Sequence, residues 1–248
     1  MGQTFVFQLH GRWYESRISY FSRLHGLAFT IGDRPRAARA VPLRALGRRM
    51  YSIEVIRCIG CHTTGALRAS GFAPGRARPG VGCEDCHGPG SYHIAAMRAG
   101  RFSQPAIFNP ARLSPRSQIR FCGDCHRTLG MVLRGGFTGR ITARFQPYRL
   151  ALSQCWLARP NDARLSCLAC HNPHQPLLTR GCGYDAACLA CHTVHPRGPA
   201  HKQRAQTCPV ARTDCVRCHM PRIQVPAAHY SFVDHDIRIV RRNAAFPE

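Results

Sequence analysis

Residues 167–174 read Cys167-Leu-Ala-Cys170-His171-Asn-Pro-His174, and the first five are one copy of the pattern that decides the fold. Cys-x-x-Cys-His recurs at Cys58-Ile-Gly-Cys61-His62, Cys83-Glu-Asp-Cys86-His87, Cys122-Gly-Asp-Cys125-His126, Cys188-Leu-Ala-Cys191-His192 and Cys215-Val-Arg-Cys218-His219. On a helical turn, residues i and i+3 lie on the same side. Two thiols so placed reach the two vinyl groups of one porphyrin, and the next imidazole meets its iron as proximal ligand. Random placement of this chain's Cys and His would give about 0.05 such motifs, so six copies are not accidental. Zinc sites also use paired Cys-x-x-Cys, but zinc has no need of a His directly after every second Cys. A thioredoxin-type pair needs no His and occurs singly. The six copies point to six covalent haems c.

Each iron takes a second axial ligand or keeps an open face. Eight His lie outside the motifs: His10, His25, His93, His174, His195, His201, His229 and His235. His174 and His195 each follow a proximal His by three residues. A motif cannot supply both faces of its own haem, so each would reach a neighbour and lock haems into close pairs. His93, His174, His195, His201, His229 and His235 are therefore the expected distal ligands, while His10 and His25 read as ordinary residues. Met97 and Met131 read as core filler. Bis-His ligation would give low-potential haems, because a Met ligand raises the potential.

The composition agrees with ligation. The chain of 248 residues has 15 Cys and 14 His, 44 % hydrophobic residues and 19 % charged residues. Three Cys lie outside the motifs: Cys155, Cys182 and Cys208. They can form one disulfide at most, for which Cys155–Cys208 is the pairing considered, and otherwise read as small buried thiols. The net charge is +23, from 35 basic and 12 acidic residues, and Lys202 is the single lysine. Such a charge is the usual footprint of nucleic-acid binding. Haem propionates offer another account, since six haems would bring the total to roughly +17 oxidised or +11 reduced. No nucleic-acid partner is expected. The surplus suits an acidic redox partner or an anionic membrane surface. No stretch has the 18 or more apolar residues of a transmembrane helix, and residues 1–16 lack the regions of a signal peptide.

Along the chain, residues 4–9 alternate apolar and polar, His10-Gly11 reads as a turn, and residues 12–20 read as a second strand. Residues 32–50 read as a basic loop with a short helix at 43–50, and 71–82 as loop. Gly135-Gly136 suggests a hairpin within 128–150, and residues 231–242 suggest a last strand. Short capped helices precede several motifs: Ser114-Pro115 supplies a cap and an N1 proline, and Asp185 and Asp214 read as similar caps. Pro89, Pro173 and Pro221, each two residues after a proximal His, stop the helices. The expected fold class is mainly α with much coil: a multihaem cytochrome c fold of short helices packed around stacked haem pairs. Small β-hairpins are expected at the N-terminus and near 128–150. One domain is expected over 1–248, with a β/loop region at 1–50, haems 1–3 on 51–127, a connecting hairpin at 128–160 and haems 4–6 on 161–240. Six haems leave about 41 residues each, so the haems themselves would form most of the core.

The segments VGCEDCHGPGSYH, RFCGDCHR, LSCLACHNPH, CLACHTVH, DCVRCHMPR and HYSFVDHDIRI resemble bacterial multihaem cytochromes of the cytochrome c-554 class, over about residues 10–240. These are distant relatives of octahaem hydroxylamine oxidoreductases and pentahaem nitrite reductases. The resemblance implies a periplasmic electron carrier exchanging electrons with other redox proteins. It also implies distal roles for His93, His174, His229 and His235. Such relatives carry a signal peptide and further N-terminal sequence, so the chain is expected to be a fragment of a longer secreted protein. The nitrite reductases place Lys at the catalytic haem, whereas all six motifs here keep His, which counts against that activity. Electron transfer through six mostly bis-His haems is the expected function, with no catalytic residue assigned. The alternative is an oxidoreductase with one five-coordinate haem acting on hydroxylamine, nitrite or tetrathionate; the haem on His62 is the candidate.

Overall fold

The N-terminal hairpin turns on His10 and Gly11, both at positive φ (48° and 71°), the two-residue geometry whose twist matches the flanking strands. The computed structural model describes residues 2–33, 45–68, 71–192, 208–241 and 243–247. The chain divides into two compact units: residues 1–110 with 225–230, and residues 111–224 with 231–248.

The first unit opens with an antiparallel sheet of β1 (Gly2–Leu9), β2 (Arg12–Phe21), β3 (Gly26–Phe29) and β4 (Gly47–Met50). β2 is central, pairing β1 on one edge and both β3 and β4 on the other. The inward Ser19 is buried at 1 % exposure, and its hydroxyl bonds Thr4 Oγ1 at 2.9 Å and Thr30 Oγ1 at 2.7 Å. That satisfies a polar group that burial would otherwise penalise.

The helix expected at 43–50 is replaced by β4 over its last four residues, and 43–44 lie outside the described residues. Tertiary pairing overrides local propensity here. Met50 is buried opposite Trp13, and Gly47 stands opposite Ser16. A Cβ on Gly47 would fall 2.1 Å from the Glu15 carbonyl oxygen, so this strand approach requires glycine. Helix α1 (Ser52–His62) follows, then two-residue ladders that join 63–64 to 78–79 and 67–68 to 71–72. α2 (Cys83–His87) and α3 (Ser91–Arg98) complete the unit's helices among the described residues.

The second unit is helical. α4 (Pro115–His126) begins as expected: the Ser114 hydroxyl accepts the N–H of Ser117, and Pro115 is at N1. The hairpin expected near 128–150 is not formed. Residues there build α5 (Leu129–Arg134), a 3-10 helix (Gly139–Arg144) and α6 (Gln146–Leu152). Thr128 caps α5 through Met131 N–H, and Gly136 at φ 60° turns the chain after it. Val132, Phe145 and Tyr148 then pack into one buried cluster with Phe137 and Leu152 against it. The glycine pair therefore terminates a helix. α7 (Gln154–Ala158), α8 (Cys167–Cys170), α9 (Asp185–Leu189) and α10 (Cys215–His219) follow. β5 (Arg222–Val225) and β6 (Tyr230–Val233) make a two-stranded ladder. The last strand expected over 231–242 stops at Val233, because Asp234 and Asp236 turn inward to a buried arginine.

Candidate haem-binding site

Every motif lies at a short helix. Motifs 1, 2, 3 and 6 end α1, α2, α4 and α10 at their His. α8 holds both Cys of motif 4, and α9 holds Cys188 of motif 5. In these last two the turn still closes, since His171 N–H reaches Cys167 O and His192 N–H reaches Cys188 O, both at 3.0 Å. Helices stop at or before each proximal His where Pro89, Pro173 and Pro221 follow, and Gly88 at φ 73° reinforces the stop after α2.

Two of the expected caps work differently. Asp185 is the first residue of α9 and does not cap it. Its carboxylate accepts the N–H groups of Asp214 and Cys215 at 2.7 and 2.9 Å and so anchors the start of motif 6. Asp214, left-handed at φ 56°, makes no side-chain cap.

In the second unit the motif thiols are gathered. Cys122 and Cys167, from motifs 3 and 4, are hydrogen-bonded; this contact draws Cys122 down to about 7 and, with burial, pushes Cys167 up. Burial, then the neighbouring Cys215 and Cys170, push Cys188 up to about 12. Motifs 3 and 4 therefore adjoin, as do motifs 4, 5 and 6. The pairing considered for Cys155–Cys208 is not formed. Cys155 lies by Cys191, and Cys208 accepts the N–H groups of Val210 and Ala211 in its own turn.

Imidazole orientation tells more. His87 Nδ1 contacts Phe108 O at 2.8 Å, His93 Nδ1 contacts Pro105 O at 2.6 Å, His219 Nδ1 contacts Arg238 O at 2.9 Å and His235 Nδ1 contacts Val233 O at 3.0 Å. A carbonyl can only accept, so each Nδ1 donates, and Nε2 is the ring nitrogen that a metal would take. His171 Nδ1 is buried with no hydrogen-bond partner. The His171 and His235 rings lie 6.1 Å apart, centre to centre. Metal–nitrogen bonds of about 2 Å plus roughly 1 Å to each ring centre put two trans imidazoles about 6 Å apart. Burial and then the neighbouring His126 lower His171, and His235 falls to about 4, chiefly through burial.

The remaining candidates are less assembled. His174 is exposed on the loop after α8, its N–H on Asn172 Oδ1 at 3.0 Å. His229 is left-handed (φ 47°) and packs edge-on to Phe21 at 4.7 Å. His62 and His126 are exposed and His192 half-buried. His195 and His201 lie outside the described residues.

Apolar side chains at the surface are of a kind that haem would contact. Among the described residues 14 apolar side chains are buried, while 22 large ones are exposed. Porphyrins attached at the motifs would cover such surface. Two features escaped the sequence reading. Arg127 and Arg144 both lie against the Phe145 ring, at 5.2 and 5.8 Å, without a carboxylate partner among the described residues, an arrangement suited to a propionate. Arg149, buried at 0 %, binds Asp234 and Asp236. Among the described residues no three His, Cys, Asp or Glu side chains converge as a metal-ion site, and no helix is long and apolar enough to cross a membrane.

Residues 40–88, which contain the first two motifs, match the model of the family described as cytochrome c554 and c-prime. The match supports a c-type cytochrome of the c-554 class, with covalent haem c and a redox function. No curated protein and no solved structure matches the chain.

Proposed function

We propose that this chain carries six covalent haems c, mostly bis-His ligated, and that its function is electron transfer through them. The observation that carries the reading is the pair of imidazoles of His171 and His235, 6.1 Å apart, together with His whose Nδ1 groups are held on backbone carbonyls. Bound haem supplies a one-electron ferric–ferrous couple; the protein supplies ligands, spacing and a low dielectric. The motif Cys hold the porphyrins, and His62, His87, His126, His171, His192 and His219 are the proximal ligands. His93, His174, His195, His201, His229 and His235 are the distal ligands, with His235 opposite His171. The adjoining thiols of motifs 3 to 6 favour close haem pairs in the second unit. Arg127 and Arg144 would neutralise a propionate, consistent with internal use of part of the +23 charge. The site of action is extracytoplasmic, where haem c is attached, and the partners are other redox proteins with acidic surfaces.

A haemochrome assay on the matured protein should give about six haems per chain, one for each Cys-x-x-Cys-His motif. Low-temperature EPR of the ferric protein should show low-spin signals alone. A stoichiometric high-spin signal would overturn full bis-His ligation and favour an oxidoreductase with an open iron.

A further inference from the structure

We propose that Arg149 is the positioning residue for the sixth ligand of the haem carried on Cys167 and Cys170. The proposal rests on the reading of His235 as that ligand. Asp234 and Asp236 flank His235 in the chain, and both carboxylates converge on one guanidinium. Arg149 Nε and Nη2 fork onto Asp234 at 2.8 and 3.0 Å, and Nη2 also reaches Asp236 at 3.2 Å. Nη1 donates to Pro247 O at 2.9 Å, and the Phe246 ring lies 4.5 Å from the guanidinium carbon. Arg238 Nη1 closes the outer side, 2.7 Å from Asp234 Oδ2.

This cluster is costly as a stability device. Both Arg149 and Asp234 side chains are 0 % exposed, and well-packed apolar residues often stabilise as well as a buried ion pair or better. What the fork offers instead is direction, because a bidentate guanidinium–carboxylate contact fixes two planes at once. The backbone is held too: Asp234 N–H donates to Pro221 O at 2.9 Å, and Asp236 N–H donates to Asp234 Oδ1 at 3.2 Å. With the residues before and after it clamped, the backbone that carries His235 is fixed, and its Nδ1 on Val233 O sets the ring from that fixed base. Groups behind a ligating His set its orientation in just this manner.

The test uses matured holoprotein and EPR of the ferric state. Arg149→Met should turn about one haem in six high-spin, or visibly shift one low-spin signal, with millimolar imidazole restoring a low-spin spectrum. Arg149→Lys, which keeps the charge but not the fork, should shift the same signal less. A wild-type spectrum and redox titration from folded, fully loaded Arg149→Met would overturn the proposal. Should that variant yield no holoprotein, Arg238→Met removes the outer hydrogen bond at a partly exposed position. It should then shift the same single signal, and an unchanged spectrum would overturn the proposal. His235→Ala separates the two ideas. If all six haems stay low-spin, the ligand assignment fails and the proposal with it. If one turns high-spin while Arg149→Met stays wild-type, only the positioning role fails.

Discussion

The carboxylate of Asp185 accepts the backbone N–H of Cys215 at 2.9 Å, so the residue that opens the helix of motif 5 also fixes the first cysteine of motif 6. The N–H of Cys215, then burial and the N–H of Asp214, act on this carboxyl, and the net effect holds it below its ordinary range. Its contribution to stability is therefore complete above the unfolded value, near 3.9, and is lost as pH falls through the lower folded value. Asp185→Asn should unfold over a shallower acid limb than the parent protein, read from the Soret band of the holoprotein between about pH 5 and 2. Parallel acid limbs would show that the carboxylate charge has no such role.

His93 is held by Pro105 O at 2.6 Å on α3. His93→Ala should leave one haem of the first unit without its sixth ligand, giving a high-spin EPR signal worth about one haem in six and a new site for added imidazole. If only low-spin signals remain, His93 is not a distal ligand.

Gly47 sits where a Cβ would meet the Glu15 carbonyl at 2.1 Å, a backbone neighbour that cannot swing aside. Gly47→Ala should destabilise the N-terminal sheet by about 1–3 kcal/mol, the usual range for overpacking. A thermal melt followed by far-UV circular dichroism measures it, and an unchanged midpoint would mean that β4 does not pair with β2 as described.

Arg144 is lowered by burial and by the charge of Arg127. Cations beside a haem favour its reduced, more negative form. Arg144→Met should then lower one midpoint potential in a redox titration and leave the rest in place. A rise, or no change, would argue against a propionate between these arginines.

Haem removal bears on the whole chain. With 22 large apolar side chains exposed and 14 apolar residues buried among the described residues, the proposed haems are expected to supply much of the core. Chain expressed without haem attachment should show no cooperative thermal transition. A sharp transition in that material would contradict the idea that porphyrin supplies the core.

The parts legible in the sequence were local ones. The His10-Gly11 turn, the Ser114 cap and the delivery of motifs on short helices all depend on neighbours within one turn of chain. The pair Gly135-Gly136 was ambiguous, because glycine suits a hairpin turn and a helix end alike. The packing of Phe145 and Tyr148 onto Val132 decided between them. Asp234 and Asp236 were visible on either side of His235, but Arg149 lies 85 positions away from Asp234. Likewise Asp185 looked like a cap for its own helix, and its real partner lies 30 positions on. No periodicity carries information over such separations.

The contact between Cys122 and Cys167 has a consequence for biogenesis. Two neighbouring thiols, one drawn down by the other, are placed to exchange a proton and to pair. In an oxidising compartment such a couple closes to a disulfide, and that bond would block both attachment points at once. If haem is attached at these cysteines, attachment is expected to precede their closure to a disulfide. On that reading, a reductant that keeps both thiols reduced would raise the yield of haem-loaded protein, and its omission would lower it.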